Sequence, residues 1–203
     1  AIDSTAQQTL CETVKSVIAS ASMLVLSDYA KGCLPKKVVR QLVSAAKAAK
    51  KLIAADPKVT DLSVYADVDI LTPNLQELSI FAGTNFTELE TIGASATRLA
   101  KTHSIGTIVT TLSARGILAS SADGTKFYDP ARTRDVFDVS GAGDTVVAVI
   151  SAAIASNANL EVAVALANHA AGVVVSKSGT AFVTPGEILA HMPLTNPLTE
   201  AAS

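Results

Sequence analysis

The segment Phe137-Asp138-Val139-Ser140-Gly141-Ala142-Gly143-Asp144-Thr145 runs without a break into apolar residues that continue to about Ala155. Gly141 and Gly143 strip side chains from the turn, so successive backbone N–H groups can converge on one anion where a helix begins. The helix N-terminus adds roughly half a positive charge at that point. Asp144, in the first turn, is repelled by any such anion, and its presence asks for a chemical reason. A general base, typically worth about 10²–10⁴-fold in rate, supplies one. An aspartate there also satisfies the helix dipole without any chemistry. The segment is not a P-loop, because no Gly-Lys-Ser/Thr follows, and it lacks the third glycine of a dinucleotide fingerprint.

Outward from this turn the chain alternates between two periods. Thr5 to Ser20 carries Leu10, Val14, Val17 and Ile18 at helical spacing, and Met23-Leu24-Val25-Leu26 reads as a strand buried on both faces. Pro35 opens a helix through Lys51; Leu52 to Ala55 returns as a strand ending at Asp56-Pro57. Asp69 to Leu71 is a further strand, and Asn74 stands at the N-cap of a short helix ending near Gly83. Thr87 is expected to cap a longer helix through His103, with Glu90 as its capping-box partner. Gly106 to Thr111 is a strand, and Ile117 to Ser121 and Thr125 to Tyr128 flank a hairpin turn at Asp123-Gly124 on the sheet edge. Two nearly all-apolar helices follow, Gly141 to about Ala155 and Leu160 to about Val175; without a polar face, both are expected to be buried between layers. A last helix, Gly186 to Met192, precedes a frayed tail. Such alternation predicts an α/β fold, a mostly parallel sheet with helices on both faces, and residues 1–203 read as a single domain.

In such sheets ligands gather at the carboxyl ends of strands. Polar residues collect there in Ser27-Asp28-Tyr29, Asp56-Pro57-Lys58, Thr72-Pro73-Asn74 and Thr111-Leu112-Ser113, joined by Asp138-Val139-Ser140. Caps and turns account for any one of these; all five together point to a binding rim. Composition narrows the ligand. The chain has 203 residues, 49% hydrophobic and 17% charged, with a net charge of −2 and 4% aromatics, so neither a polyanion-binding face nor stacking platforms for nucleic acid are expected. The greasiest stretch, Val146 to Ala155, is too short to span a bilayer. Ala1-Ile2-Asp3-Ser4 opens without a basic, then apolar, leader. Cys11 and Cys33 are far apart and His103, His169 and His191 scattered, which suggests reduced thiols, a cytoplasmic setting and no structural metal.

Together these segments resemble the ribokinase-like (PfkB) carbohydrate kinases, whose three-layer fold the alternation fits. Asp138 to Asp144 is similar to their C-terminal signature. Leu26-Ser27-Asp28-Tyr29-Ala30-Lys31-Gly32 resembles the heptose 7-phosphate kinases of lipopolysaccharide core synthesis within that family. Asp56-Pro57-Lys58, Thr72 to Leu78, Thr111 to Gly116 and Ala167 to Thr180 follow in the family's order. The resemblance implies ATP-dependent phosphoryl transfer to a sugar hydroxyl, heptose 7-phosphate becoming heptose 1,7-bisphosphate, with Mg²⁺ accompanying the nucleotide. It implies that Asp144 is the base and that Gly141, Ala142 and Gly143 hold the γ-phosphate. Asn74, Leu75, Gln76 and Glu77 match the element serving the nucleotide and metal, Glu77 acting through water. Thr111, Ser113 and Gly116 would pass along the nucleotide, and Asn168 and Gly172 would wall the adenine. Asp28, Lys31 and Lys58 sit on the substrate side of the same rim.

The chain departs from the pattern at several places. Ser140 stands where Thr is usual, Val59 where Gly is, and Ala114 where Glu is. The Gly-Asp strand, the Gly-Gly-x-Asn segment and the lid that open a complete member are missing, as is a nucleotidyltransferase signature. A fragment, half of a split enzyme and a shortened, silent nucleotide-binding paralogue are all compatible with that pattern, as is another sugar as acceptor. An uncovered strand edge would favour a homodimer or a missing N-terminal half as partner.

Overall fold

The computed structural model describes residues 2–132 and 137–192; the frayed tail expected after Met192 lies outside the described residues. Among the described residues one six-stranded sheet runs in chain order: β1 (Met23–Ser27), β2 (Leu52–Asp56), β3 (Ile70–Leu71), β4 (Thr107–Thr111), β5 (Ile117–Ser121) and β6 (Lys126–Asp129). Strands β1 to β4 are parallel, while β5 and β6 return as an antiparallel hairpin, as Asp123-Gly124 predicts. Helices α1 (Ser4–Val17), α2 (Lys36–Ala48), α3 (Leu75–Ala82) and α4 (Leu89–Thr102) join the strands; α5 (Ala142–Ala155), α6 (Leu160–Val175) and α7 (Pro185–His191) follow the sheet.

Two apolar cores show the three layers. On one face Leu26, Ile53, Leu71 and Ile108 pack with Val39, Leu42, Leu78 and Ile92 of the crossover helices. On the other, Ala54, Ile70, Val109 and Ala119 meet Val146, Val147 and Ile150 of α5 and Val164 and Ala167 of α6. Alternate residues of β2 thus enter opposite cores, as the pleat of a sheet covered on both faces requires.

Three expectations need correction. Strand β1 is not buried on both faces: among the described residues it is the edge of the sheet, and Val25 is 41% exposed. A continuous apolar run cannot tell an edge strand from a central one. The two apolar helices also differ. Helix α6 buries Ala163, Val164, Ala167, Ala170, Val173 and Val174, whereas α5 buries Val146, Val147, Ile150 and Ser151 and turns Ala148 and Ala152 to solvent. Alanine leaves no polar face in the sequence yet tolerates exposure. Finally, Thr87 does not cap α4. Glu88 occupies the N-cap, so Glu90 falls one position short of a capping box and instead pairs with Lys126 of β6 at 2.9 Å.

Gly116 is the tightest backbone position next to the rim. Its φ of 98° and ψ of −142° suit only glycine, and a Cβ there would lie 2.1 Å from the Asp129 carbonyl oxygen. Gly116→Ala should therefore cost about 3 kcal/mol or more, read as a fall in the urea midpoint at unchanged slope.

Candidate active site

Because β1 to β4 are parallel, their C-terminal residues Ser27, Asp56, Leu71 and Thr111 end on one side of the sheet. The residues just beyond them build the rim.

After β1 the chain turns sharply. Asp28 is buried, and its carboxylate accepts the Tyr65 hydroxyl at 2.6 Å and the backbone N–H of Ala30 at 2.8 Å. Ala30 adopts φ 53°, the left-handed region, which throws Tyr29 outward. Both Asp28 oxygens are engaged inside the protein, so the expected substrate residue holds the turn. Tyr65, in a helical turn at Leu62–Tyr65, is wholly buried, and burial together with its bond to Asp28 raises its phenol pKa. The sequence reading missed Tyr65; a lone tyrosine in a connecting segment carries no pattern. Lys31 is exposed and makes no ion pair among the described residues.

After β2, Lys58 folds back over Asp56 and onto Glu77. Its Nζ lies 3.1 Å from Asp56 Oδ2 and 2.9 Å from Glu77 Oε1, and it also donates to the Pro57 carbonyl at 3.2 Å. Burial pushes Asp56 up to about 6 against the pull of Lys58, and the Glu77 and Asp144 carboxylates push it the same way. Burial opposes the charge on Lys58, but Glu77 and Asp56 outweigh it and its pKa lies above the usual lysine value. Lys58, expected on the substrate side of the rim, is clamped between two carboxylates.

After β3, Asn74 caps α3 as expected and forms a full capping box: its side chain accepts from the Glu77 N–H, and Glu77 Oε2 accepts from the Asn74 N–H, each at 2.9 Å. One Glu77 oxygen thus closes the cap and the other meets Lys58. Each of these oxygens keeps a second lone pair, so the contacts leave room for the water-mediated role toward Mg²⁺ that the resemblance implies. No group of three or more His, Cys, Asp or Glu side chains able to hold a metal occurs among the described residues. Asn74, Leu75, Gln76 and Ser113 line an open cleft of about 850 Å³ with Ile80 and Phe86. Thr111 is half-buried beside it, and Gly116 lies buried beneath the Ser113–Arg115 turn.

Strand β6 delivers Asp129 to the same end of the sheet, where α6 meets it. Asn168 donates to the Asp129 carboxylate at 2.6 Å and to the Pro130 carbonyl at 2.8 Å. Asn168 and Gly172 are buried, so Asn168 acts here as a pin on the end of β6.

The glycine turn lies against α6: the N–H groups of Phe137 and Asp138 both donate to the Val175 carbonyl. Asp138 accepts the Ser140 N–H at 2.8 Å, and the Ser140 hydroxyl together with that N–H holds its carboxyl below the usual range. Gly141 is the N-cap of α5 at φ 81°, as the sequence predicts for a side-chain-free turn. The Ala142 N–H turns back to Val139, whereas those of Gly143 and Asp144 open α5 with no partner among the described residues. A Cβ on Gly143 would meet nothing within 4 Å. Beside these amides the exposed Asp144 carboxylate accepts the Tyr29 hydroxyl at 2.8 Å. Asp144, the amides of Gly143 and Asp144, and the Asp56-Lys58-Glu77 group therefore share one rim; Lys31 joins none of them, and Asn168 and Gly172 lie behind it.

The raised pKa of Asp56 has a measurable sign. Its folded value lies above the ordinary 3.8, so its contribution to stability is fully present below pH 3.8 and disappears as pH rises through about 6. Asp56→Asn removes this dependence. Between pH 4 and pH 7 the stability of the variant relative to the parent should climb by about 1–3 kcal/mol, measured by urea unfolding at each pH.

Comparison with known proteins shows the family and the fold. The chain matches the model of the pfkB family of carbohydrate kinases over residues 2–186. It is 42% identical over 180 residues to the bifunctional protein HldE of Paramagnetospirillum magneticum, covering 89% of this chain and 37% of that protein. HldE of Halorhodospira halophila gives 41% over 179 residues, 88% and 37%. The chain thus spans little more than a third of the length of these curated relatives. Among solved structures, phosphofructokinase-2 from Escherichia coli in complex with potassium superposes with a TM-score of 0.84 at 21% identity, over 94% of this chain and 62% of that one. Arabidopsis thaliana ribokinase complexed with ribose and ATP gives 0.79 at 21%, over 89% and 58%. The chain belongs to the pfkB family of carbohydrate kinases.

Proposed function

We propose that this chain transfers the γ-phosphoryl group of ATP to a sugar hydroxyl, with heptose 7-phosphate as acceptor and heptose 1,7-bisphosphate as product. The observation that carries the reading is the pairing of an exposed Asp144 carboxylate with two N–H groups, in the first turn of one helix, that have no partner among the described residues. The sugar oxygen attacks the γ-phosphorus, the bond to the β-phosphate oxygen breaks, and ADP departs; Asp144 accepts the hydroxyl proton. The amides of Gly143 and Asp144, aided by the α5 N-terminus, stabilise the charge on the migrating group. The open Gly143 lets it approach the backbone. The cleft beside Asn74, Gln76 and Ser113 suits the nucleotide. Magnesium enters as the counter-ion of ATP and thus as part of the substrate, neutralising phosphate oxygens. Lys31, exposed and without an ion pair among the described residues, suits the phosphate already on the sugar. The likeness to HldE over 89% of the chain favours a heptose phosphate over other acceptors.

Sugar-dependent release of ADP from MgATP tests the proposal. Asp144→Asn should lower it by about 10²–10⁴-fold while leaving ADP affinity, measured by calorimetry, nearly unchanged. Equal turnover in parent and variant removes Asp144 as base. Nucleotide binding with no turnover in the parent assigns the chain a silent nucleotide-binding role instead.

A further inference from the structure

The contact between Tyr29 and Asp144 joins positions 115 residues apart, yet it buries little: Tyr29 is 59% exposed. Its ring adds almost nothing to the core, and its hydroxyl is the part that is placed. The placement is built from beneath. The buried Asp28 carboxylate, held by Tyr65 and by the Ala30 N–H, sets the left-handed turn that carries Tyr29 over the start of α5. A general base needs one oxygen aimed at the proton it takes, and a carboxylate on an exposed first turn is otherwise free to rotate.

Resting on the kinase reading above, we propose that Tyr29 is the positioning residue for Asp144: its O–H fixes Oδ1 and leaves Oδ2 to receive the proton of the acceptor hydroxyl. The phenol remains a donor over the working pH range. Ionising it would forfeit the bond to Asp144 and set two negative charges side by side, which holds its pKa above the ordinary value. Tyr65 underneath is the second part of the device, because its bond to Asp28 fixes the turn without touching Asp144.

Tyr29→Phe keeps the ring and removes the donor. In the ADP-release assay kcat should fall about 10- to 100-fold with KM for ATP unchanged, and in an Asp144→Asn background the same change should cost nothing further. Independently of turnover, carbon-13 tyrosine spectra should show the Tyr29 phenol titrating above the ordinary phenol range, and Asp144→Asn should return it to that range. The inference is overturned by a Tyr29→Phe variant with parental kcat, by equal losses in both backgrounds, or by a phenol titration indifferent to Asp144→Asn. An active parent that ignores Tyr29→Phe sinks the positioning role alone. A parent without sugar-dependent turnover sinks the kinase reading, and the inference with it.

Discussion

Parallel strands cannot be joined by tight turns; each must leave the sheet at one end and return through a crossover. In this chain β1 to β4 all leave at the same end, and each departure carries polar residues, among them Asp28, Asp56, Asn74 and Ser113. The rim is thus a consequence of the hydrogen-bond ladder. Once the ladder is set, Tyr29, Lys58, Glu77 and Ser113 gather along one edge although up to 84 residues separate them in the chain. Helix α5 completes the arrangement by packing on β1 and β2 with its N-terminus toward that edge, where Asp144 meets Tyr29.

Electrostatics then divides the rim into two parts. Asp56, Lys58 and Glu77 form a self-contained group in which one ammonium serves two carboxylates, and the capping box takes the remaining Glu77 oxygen. On the same rim the amides of Gly143 and Asp144 have no partner among the described residues. The closed group gives the end of β2 and the start of α3 a fixed geometry; the open amides are where an anion can be received. Asp28 and Asn168 belong to the first kind: both are buried, with both Asp28 oxygens and the Asn168 amide N–H groups bonded inside the protein.

The sequence made legible those features that depend on local chemistry. Asn74 before an apolar periodic run reads as a cap because its side chain has one good use there, and Gly141 reads as a turn because no side chain fits a φ of 81° without strain. The hairpin at Asp123-Gly124 is legible for the same reason. Features that depend on what a segment packs against were not legible. The exposure of β1 is decided by its position at the sheet's edge, and the N-cap of α4 by a one-residue shift that pairs Glu90 with Lys126. The partners of Asp28 and Asn168, namely Tyr65 and Asp129, lie 37 and 39 residues away, and no spacing rule connects them.

Gly143 separates two demands that are usually entangled. With helical backbone and no neighbour within 4 Å of a built Cβ, it is a glycine that the fold does not require. An alanine there would fold at least as well, since glycine inside a helix is the costlier residue. Packing within the fold thus gives no reason for the missing side chain, and the room it leaves is open to an approaching ligand.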